Sequence, residues 1–402
     1  MEVPANIIPR DHYLQQVLPF VGQNLIKVLT GQRRVGKSYL LFQLMQHILQ
    51  QEPSASVIYI NKEDLRFDAI RNANDLNDFV TAQLRKDQRN YIFIDEIQDI
   101  ENFEKALRSL LLSTENDLYI TGSNATMLSG ELATYLSGRY IEFTVYSLSY
   151  PEFLRFHGLT DEDTHLELYM RFGGLPYLVN LPLADHAFEY IKGVYSTIVY
   201  RDVVSRFNIR NTQFLEKLIQ FLAGQIGSLF SAKRISDFLK SQRVNLAPNQ
   251  IQQYVSYLAS AFIIHEVGRY DLIGKRVFEI GNKYYFENTG IRNAISGYTA
   301  ADRGKLLENV VYNHLTFCRY SVKVGTLQAL EIDFMGERRG EKVYVQVALS
   351  LVEQETITRE FGNLLKIDDN YPKYVVSNDS FSGNTYQGII HLTIREFLMQ
   401  LR

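Results

Sequence analysis

Residues 31–38, GQRRVGKS, match the phosphate-loop pattern G-x-x-x-x-G-K-[ST]. Glycines let the backbone bend until successive N–H groups point at phosphate oxygens, and the helix that follows adds the positive end of its dipole. We expect the Lys37 ammonium to reach the β- and γ-phosphates of a nucleoside triphosphate and the Ser38 hydroxyl to bind Mg²⁺. The nucleotide-binding residues predicted from this run are Gly31, Gln32, Arg33, Arg34, Val35, Gly36, Lys37, Ser38 and Tyr39.

A second candidate element is YIFIDE, residues 91–96, in which an apolar run ends in two adjacent acids. We expect Asp95 to hold Mg²⁺ through the water shell of the ion, and Glu96 to orient and deprotonate the attacking water. Two acids after a buried strand are also typical of a solvated loop. Their position after a phosphate loop favours the catalytic interpretation.

Two further runs contain candidate site residues. The run LYITGSN places Ser123 and Asn124 at the end of an apolar stretch, where either side chain can sense a γ-phosphate or simply cap the next helix. Arg139, in LSGR, can supply positive charge to the transferring phosphoryl group from within the chain or across a subunit contact. A lone surface arginine that is only solvated is the alternative for Arg139.

The elements that must position these residues form an α/β pattern. From residue 25 to about 150, short apolar runs alternate with longer amphipathic stretches, which indicates parallel strands joined by crossover helices. The predicted fold class is therefore α/β, a P-loop NTPase parallel sheet with helices on both faces, followed by two smaller domains. The strands predicted for this sheet are 25–30, 57–60, 91–94, 117–121 and 140–146.

Four regions are predicted along the chain. Residues 1–150 hold the P-loop domain, and residues 151–210 form a helical connector interrupted by FGGLP. Residues 211–300 follow the winged helix-turn-helix plan, with helices 214–224, 231–240 and 248–261 and then a strand pair, 262–267 and 276–280. Residues 301–402 form a small α/β domain with helix 305–316 and strands 322–324, 331–335, 343–349 and 374–377.

The bulk composition is that of an ordinary globular protein. The 402 residues are 46% hydrophobic and 22% charged, and a net charge of -3 argues against global attraction to nucleic acid. The single cysteine, Cys318, cannot form an internal disulfide and is expected to be a small buried hydrophobic residue. No stretch approaches the roughly 20 apolar residues of a membrane span, so we expect a cytoplasmic protein without a membrane partner.

The motifs together resemble a known family, the prokaryotic AAA-type P-loop ATPases with an uncharacterised C-terminal region containing a winged helix and a restriction-endonuclease-like domain. The resemblance spans nearly the whole chain. It implies binding of ATP with Mg²⁺, and it assigns Lys37, Ser38, Asp95 and Glu96 the roles given above. It is carried by GQRRVGKS, FIDEIQ, TGSN, LSGR before SYPEF, FGGLP, and YRDVV at residues 200–204.

The predicted winged helix raises the question of DNA. Helix 248–261 offers polar side chains to bases but contains no lysine or arginine to neutralise phosphates, so DNA contact stands beside a role as a lid or protein-docking surface. The polar residues are Asn249, Gln250, Gln252, Gln253, Tyr254 and Ser256, and the nearby cations are Lys233, Arg234, Lys240, Arg243, Lys275 and Arg276.

The restriction-endonuclease-like domain is expected to be catalytically degenerate. Glu308 and Asp333 match two acids of such a site, but the Glu-x-Lys position reads Gln346-Val347-Ala348. An amide in place of a carboxylate removes an anionic Mg²⁺ ligand, and alanine in place of lysine removes the charge that activates water. We therefore expect no nuclease activity, with Asp333 a relic or a structural acid.

The expected function is a nucleotide-driven switch that hydrolyses ATP to ADP and phosphate and acts on an unknown protein client. The alternative is a DNA-binding regulator or defence component in which nucleotide controls contact with DNA through the winged helix. The sequence leaves open whether the chain forms a homo-oligomer.

Overall fold

The computed structural model describes residues 4, 6–125, 136, 138–241, 246–277, 281–379 and 385–401. The chain divides into two compact units, Met1–Tyr146 with Ser260–Phe262, and Ser147–Ala259 with Ile263–Arg402. The predicted boundary at residue 150 lies close to the end of the first stretch, and the division of residues 151–402 into three domains stays a prediction. Arg243 and residues 278–280 of a predicted strand lie outside the described residues.

The first unit is built on a five-stranded parallel sheet in the order β2-β3-β4-β1-β5. This architecture, with flanking helices and then helical and mixed-sheet regions, confirms the predicted α/β P-loop NTPase fold class. The five predicted strands are all present, with ends shifted by one or two residues. Their bounds are β1 Ile26–Thr30, β2 Ser56–Asn61, β3 Asn90–Asp95, β4 Asn116–Gly122 and β5 Tyr140–Thr144.

Helices cover both faces of this sheet because alternate strand residues point to opposite sides. Ile92 and Ile94 belong to the core shared with helices α3 and α4, whereas Phe93 points to the other face and stacks on Tyr119. On that second face Phe42 of α2 contacts Tyr59 of β2. The helices are α1 Asp11–Val17, α2 Lys37–Gln51, α3 Ala73–Thr81 and α4 Phe103–Leu110, with short 3₁₀ turns at Leu18–Phe20, Leu65–Phe67 and Ile97–Asp99.

The second unit contains most of the remaining helices and strands. A π-helical segment, Ile198–Ser205, continues directly from α7 and contains the YRDVV run. The helices are α5 Tyr150–His157, α6 Asp163–Phe172, α7 Ala187–Thr197, α8 Thr212–Gly224, α9 Ala232–Ser241, α10 Pro248–Ser260, α11 Thr289–Ser296, α12 Arg303–Phe317, α13 Gln354–Leu365 and α14 Ile394–Gln400, with 3₁₀ turns at Pro176–Asn180 and Ala300–Asp302.

An eight-stranded mixed sheet and a two-stranded sheet complete the second unit. The large sheet runs β14-β15-β13-β12-β11-β10-β7-β8, and β6 pairs with β9. The strands are β6 Ile264–Val267, β7 Arg269–Asp271, β8 Arg276–Val277, β9 Lys283–Phe286, β10 Ser321–Leu327, β11 Leu330–Arg338, β12 Glu341–Ala348, β13 Lys373–Ser377, β14 Thr385–Tyr386 and β15 Ile389–Thr393.

The strand pair predicted for the winged helix is wrong in its partners. β6 pairs antiparallel with β9, and β8 pairs with β7, so 262–267 and 276–280 do not pair with each other in the described residues. Residues 272–275 join β7 to β8 as a short hairpin turn, and β6 pairs with the longer, fully buried strand β9.

Two smaller expectations concern Cys318 and the membrane. Cys318 is buried, as expected, and burial raises the pKa of its thiol to about 12. A thiol with such a pKa stays protonated and unreactive at neutral pH. No helix in the described part of the chain has the length and apolar character to cross a membrane.

Candidate functional site

The loop between β1 and α2 has the backbone geometry of a phosphate-binding turn. Gly31 has φ 142°, Arg34 φ 70° and Gly36 φ 96°, and α2 begins at the next residue, Lys37. These positive φ angles turn the chain sharply, which brings backbone N–H groups together at the helix start. The loop therefore has the conformation that its sequence predicts.

The side chain of Lys37, the first residue of α2, extends back into this loop. Its side chain is buried, and Nζ donates to the carbonyl oxygens of Gly31 and Gln32, each at 2.9 Å. A buried ammonium held by the carbonyls of its own loop is a fixed positive charge at the helix start. This arrangement fits an anionic phosphate, which would meet both the ammonium and the loop N–H groups.

Asp95 closes the other side of the site. It ends β3 and is buried, with one carboxylate oxygen accepting from Thr121 Oγ1 and the other from Tyr59 OH at 3.3 Å. Burial raises the pKa of Asp95 above its usual value, and hydrogen bonds from Ser38 and Thr121 offset only part of this shift. The contact between Asp95 and Ser38 joins the two residues predicted to hold Mg²⁺, and this hydroxyl-carboxylate pair fits a hard cation.

Glu96 follows directly in a left-handed conformation, φ 57° and ψ 50°. Its backbone N–H donates to Thr121 Oγ1 at 2.9 Å, and Gln98 Nε2 donates to its Oε2 at 2.5 Å. The left-handed turn at Glu96 ends β3 directly after Asp95. Both acids are therefore fixed at the carboxyl edge of the sheet.

The remaining predicted residues, in the loop and after β4, differ in their exposure. Val35, Ser123 and Asn124 are buried, whereas Arg34 and Tyr39 are exposed. Ser123 and Asn124 follow β4, which lies between β1 and β3, so they stand at the same sheet edge as the loop. Sensing of the γ-phosphate by either residue stays a prediction.

Arg139 lies at the amino ends of the strands, opposite the end that carries the phosphate loop. It precedes β5, whose first residue pairs with Ile26, and the Ile26 N–H donates to the Arg139 carbonyl at 3.0 Å. Since β5 runs parallel to β1, the whole length of β1, roughly 16 Å at about 3.3 Å per residue, separates Arg139 from the phosphate loop. The structure therefore does not bring Arg139 into the site of its own chain, and its predicted role is left only for a subunit contact.

Several residues that contact the site were not predicted from the sequence. Arg10 is buried, and its NH1 donates to Val35 O at 2.9 Å and to Tyr146 O at 3.0 Å. Gln32 Nε2 donates to Phe262 O at 2.6 Å, within the first unit. Of these residues, Thr121 could have been predicted, because it belongs to the TGSN run. Arg10 and Phe262 lie far from the loop in sequence and match no motif.

Gly31 gives a direct test of the loop geometry. A Cβ at this position would lie 2.1 Å from Val145 O, and φ 142° strains any other residue. Gly31→Ala is expected to lower the free energy of unfolding by roughly 2–4 kcal/mol, because overpacking and left-handed strain each cost about 1–3 kcal/mol. Urea denaturation measures this, with Gly193→Ala as the control, since a Cβ there meets nothing within 4 Å. Equal stability of the two variants would contradict the close approach of Val145.

The acids predicted for a degenerate nuclease site surround a lysine. Lys283 Nζ lies 3.1 Å from Glu308 Oε1 and 2.8 Å from Glu331 Oε1. Burial lowers the pKa of Lys283, but the carboxylates around it raise the value above normal overall. Asp333 Oδ2 accepts from the Val347 N–H at 2.8 Å.

These contacts place one ammonium, that of Lys283, among the carboxylates of Glu308 and Glu331. Burial, and then the charge of Glu308, raise the pKa of Asp333 well above its usual value. In the described part of the chain, no three His, Cys, Asp or Glu side chains are grouped to hold a metal ion. The absence of nuclease activity stays a prediction, which incubation of plasmid DNA with the protein and Mg²⁺ tests.

Comparisons with known proteins identify an AAA domain in the first unit. A family model described as an AAA domain matches residues 23–154, and a model of a domain of unknown function matches residues 163–302. An uncharacterised protein of Haemophilus influenzae is 35% identical over 402 residues, covering 98% of this chain and 99% of its own length. An uncharacterised protein of Methanocaldococcus jannaschii is 29% identical over 395 residues, covering 93% of this chain and 86% of its own.

Solved structures overlap more loosely. The Aeropyrum pernix ORC1 protein in complex with DNA has a TM-score of 0.33 and 12% identity, over 75% of this chain and 95% of that one. AMPPCP-bound DnaA from Aquifex aeolicus has a TM-score of 0.30 and 14% identity, over 63% and 89%. These scores are too low for a residue-by-residue comparison.

Proposed function

Because this chain belongs to the same protein family as the Haemophilus influenzae protein and its residues 23–154 match an AAA domain, we propose that it hydrolyses ATP to ADP and phosphate. The observation that carries the proposal is the meeting of Lys37, Ser38, Asp95 and Glu96 at one edge of the parallel sheet. Lys37 and Ser38 begin α2, and the two acids follow β3. A hydrogen bond joins Ser38 to Asp95, which supports a single site shared by the two motifs.

Each residue has a defined task in this proposal. Lys37 and the loop N–H groups bind the β- and γ-phosphates of ATP. Ser38 and Asp95 would hold Mg²⁺, which neutralises phosphate charge when bound. Glu96 accepts a proton from water as the water oxygen bonds to the γ-phosphorus, and the bond from that phosphorus to the bridging oxygen of ADP breaks.

Phosphate release by the purified chain tests the proposal. We expect release of phosphate from ATP only when Mg²⁺ is present, with ADP formed in equal amount. Omission of Mg²⁺ or addition of a chelator should stop it. No release above that of a Lys37→Ala variant would contradict the proposal.

We further infer that nucleotide state controls the affinity for a client protein. The DNA-binding alternative has less support, because α10 exposes Asn249, Gln250, Gln252 and Gln253 but carries no lysine or arginine. A pull-down with the Glu96→Gln variant, with and without ATP, identifies the client. Binding to DNA that weakens steeply with salt would favour the alternative instead, since phosphate neutralisation releases counterions.

A further inference from the structure

Gln32, the second residue of the phosphate loop, is bonded to Phe262, which lies two residues beyond the end of α10. Both residues belong to the first unit. The Gln32 Nε2 donates to the Phe262 carbonyl oxygen at 2.6 Å, and Gln32 is only 1% exposed. Its Oε1 is buried and accepts no hydrogen bond from the described residues, so the bond to Phe262 is the contact that fixes this amide group.

Phe262 has an unusual backbone conformation. Its φ of 55° is left-handed, which costs energy for any residue other than glycine. The next residue, Ile263, donates its N–H back to Leu258 O at 3.0 Å, so Phe262 occupies the position at which glycine commonly ends a helix. The phosphate loop therefore holds the carbonyl of the strained residue that forms the C-terminal cap of α10.

Lys37 holds the main chain on both sides of Gln32. Its Nζ donates to the carbonyl oxygens of Gly31 and Gln32, which belong to the peptide groups before and after the Gln32 Cα atom. An ammonium has three N–H groups, so it cannot bond both carbonyls and also the β- and γ-phosphates. Binding of Lys37 to both phosphates releases at least one of these peptide groups, and the side-chain bond to Phe262 then becomes more important for the position of Gln32.

We propose that Gln32 is a positioning residue, which holds the phosphate loop in its binding conformation through Phe262, and that bound ATP in turn stabilises the cap of α10. This inference rests on the ATP binding of the proposed function, and it adds the contact through which the nucleotide acts on α10. Such coupling is reciprocal. The factor by which ATP stabilises the cap is about the factor by which loss of the Gln32 bond weakens ATP binding.

Gln32→Met tests the coupling, because methionine keeps the length of the side chain but has no donor for the Phe262 carbonyl. Hydrogen exchange of the Ile263 N–H measures the stability of the cap, and calorimetric titration measures the Kd of a non-hydrolysable ATP analogue with Mg²⁺. At saturation of each protein, we expect the analogue to slow this exchange about fivefold in the parent and less than about twofold in Gln32→Met. The Kd of the analogue should rise about fivefold in the variant, as reciprocity requires.

Gln83→Met is the matched control. Gln83 is an exposed residue of the same unit, and its Nε2 also donates to a backbone carbonyl, that of Phe79, at 3.1 Å. The Kd of the analogue and its effect on Ile263 should equal those of the parent. A second variant, Gln32→Asn, keeps the amide but is one methylene too short to reach Phe262, so it should show the same two losses as Gln32→Met.

The outcomes separate this inference from the proposed function. Binding of the analogue to the parent without slower exchange at Ile263 would overturn the coupling, and so would full slowing in Gln32→Met or Gln32→Asn. An unchanged Kd in both variants would overturn the positioning role of Gln32. Lack of binding by the parent would contradict the proposed function and this inference together. The expected coupling in a parent that releases no phosphate from ATP would support the inference and contradict the proposed hydrolysis.

Discussion

Replacement of Lys37 by alanine is expected to weaken ATP binding by about 100-fold or more, equivalent to about 3 kcal/mol. The ammonium is the fixed positive charge of the phosphate loop, and charge-assisted bonds to phosphate are among the strongest polar contacts in proteins. Its two bonds to Gly31 O and Gln32 O are lost in the same variant, so the loop also loses an internal brace. Calorimetric titration with Mg-ATP measures the loss.

The control for this variant is Lys105→Ala. Lys105 is an exposed residue of α4, so the substitution removes the same charge from the same unit without touching the loop. Its ATP affinity should match that of the parent. An unchanged affinity in Lys37→Ala would show that the loop does not bind phosphate through this residue.

Glu96→Gln should separate binding from hydrolysis. The amide has the same shape but accepts no proton from water, and loss of a general base costs about 10²–10⁴-fold in rate. The Kd of ATP should stay close to the parent value, because Lys37, Ser38 and Asp95 are untouched. We expect phosphate release to fall by at least about 100-fold.

Glu101→Gln provides the matched control for the acid. Glu101 is exposed and lies five positions along the chain, beyond the turn Ile97–Asp99. This variant should release phosphate at the parent rate. Release at the parent rate by Glu96→Gln would remove Glu96 from the mechanism.

The parts of the site that could be predicted are those encoded by contiguous sequence motifs. The loop from Gly31 to Ser38 and the acids after β3 are contiguous motifs, each attached to an apolar strand, so sequence alone places them at the ends of strands. The carboxyl ends of parallel strands share one edge of a sheet, which brings Lys37 and Asp95 together. The order of the strands, which puts β4 between β1 and β3, was not needed for that prediction.

The sequence alone does not identify the long-range contacts of the site residues. Arg10 reaches Val35 and Tyr146, and Arg33 reaches Glu63; these contacts depend on tertiary packing and have no fixed spacing. Arg139 does not reach the site of its own chain, because it precedes β5 at the amino ends of the parallel strands. Its role across a subunit contact stays a prediction.

The second unit shows the same limit. Helices such as α8, α9 and α10 were recognisable from their periodicity, and four strands of the large sheet from their apolar runs. The pairing of β6 with β9 was not, because both are short strands of four residues and two further strands, β7 and β8, lie between them in sequence, so several partners were equally acceptable. Lys283 was therefore not connected with Glu308 and Glu331, although this ammonium holds the cluster together.

A crystal structure of the Glu96→Gln variant grown with excess Mg-ATP tests whether the loop is a nucleotide site. We expect the triphosphate to lie against the N–H groups of residues 31–38, with the Lys37 ammonium turned to the phosphates and the metal ion beside Ser38 and Asp95. A loop without nucleotide, in which Lys37 Nζ still bonds the carbonyls of Gly31 and Gln32, would contradict the proposed ATPase function.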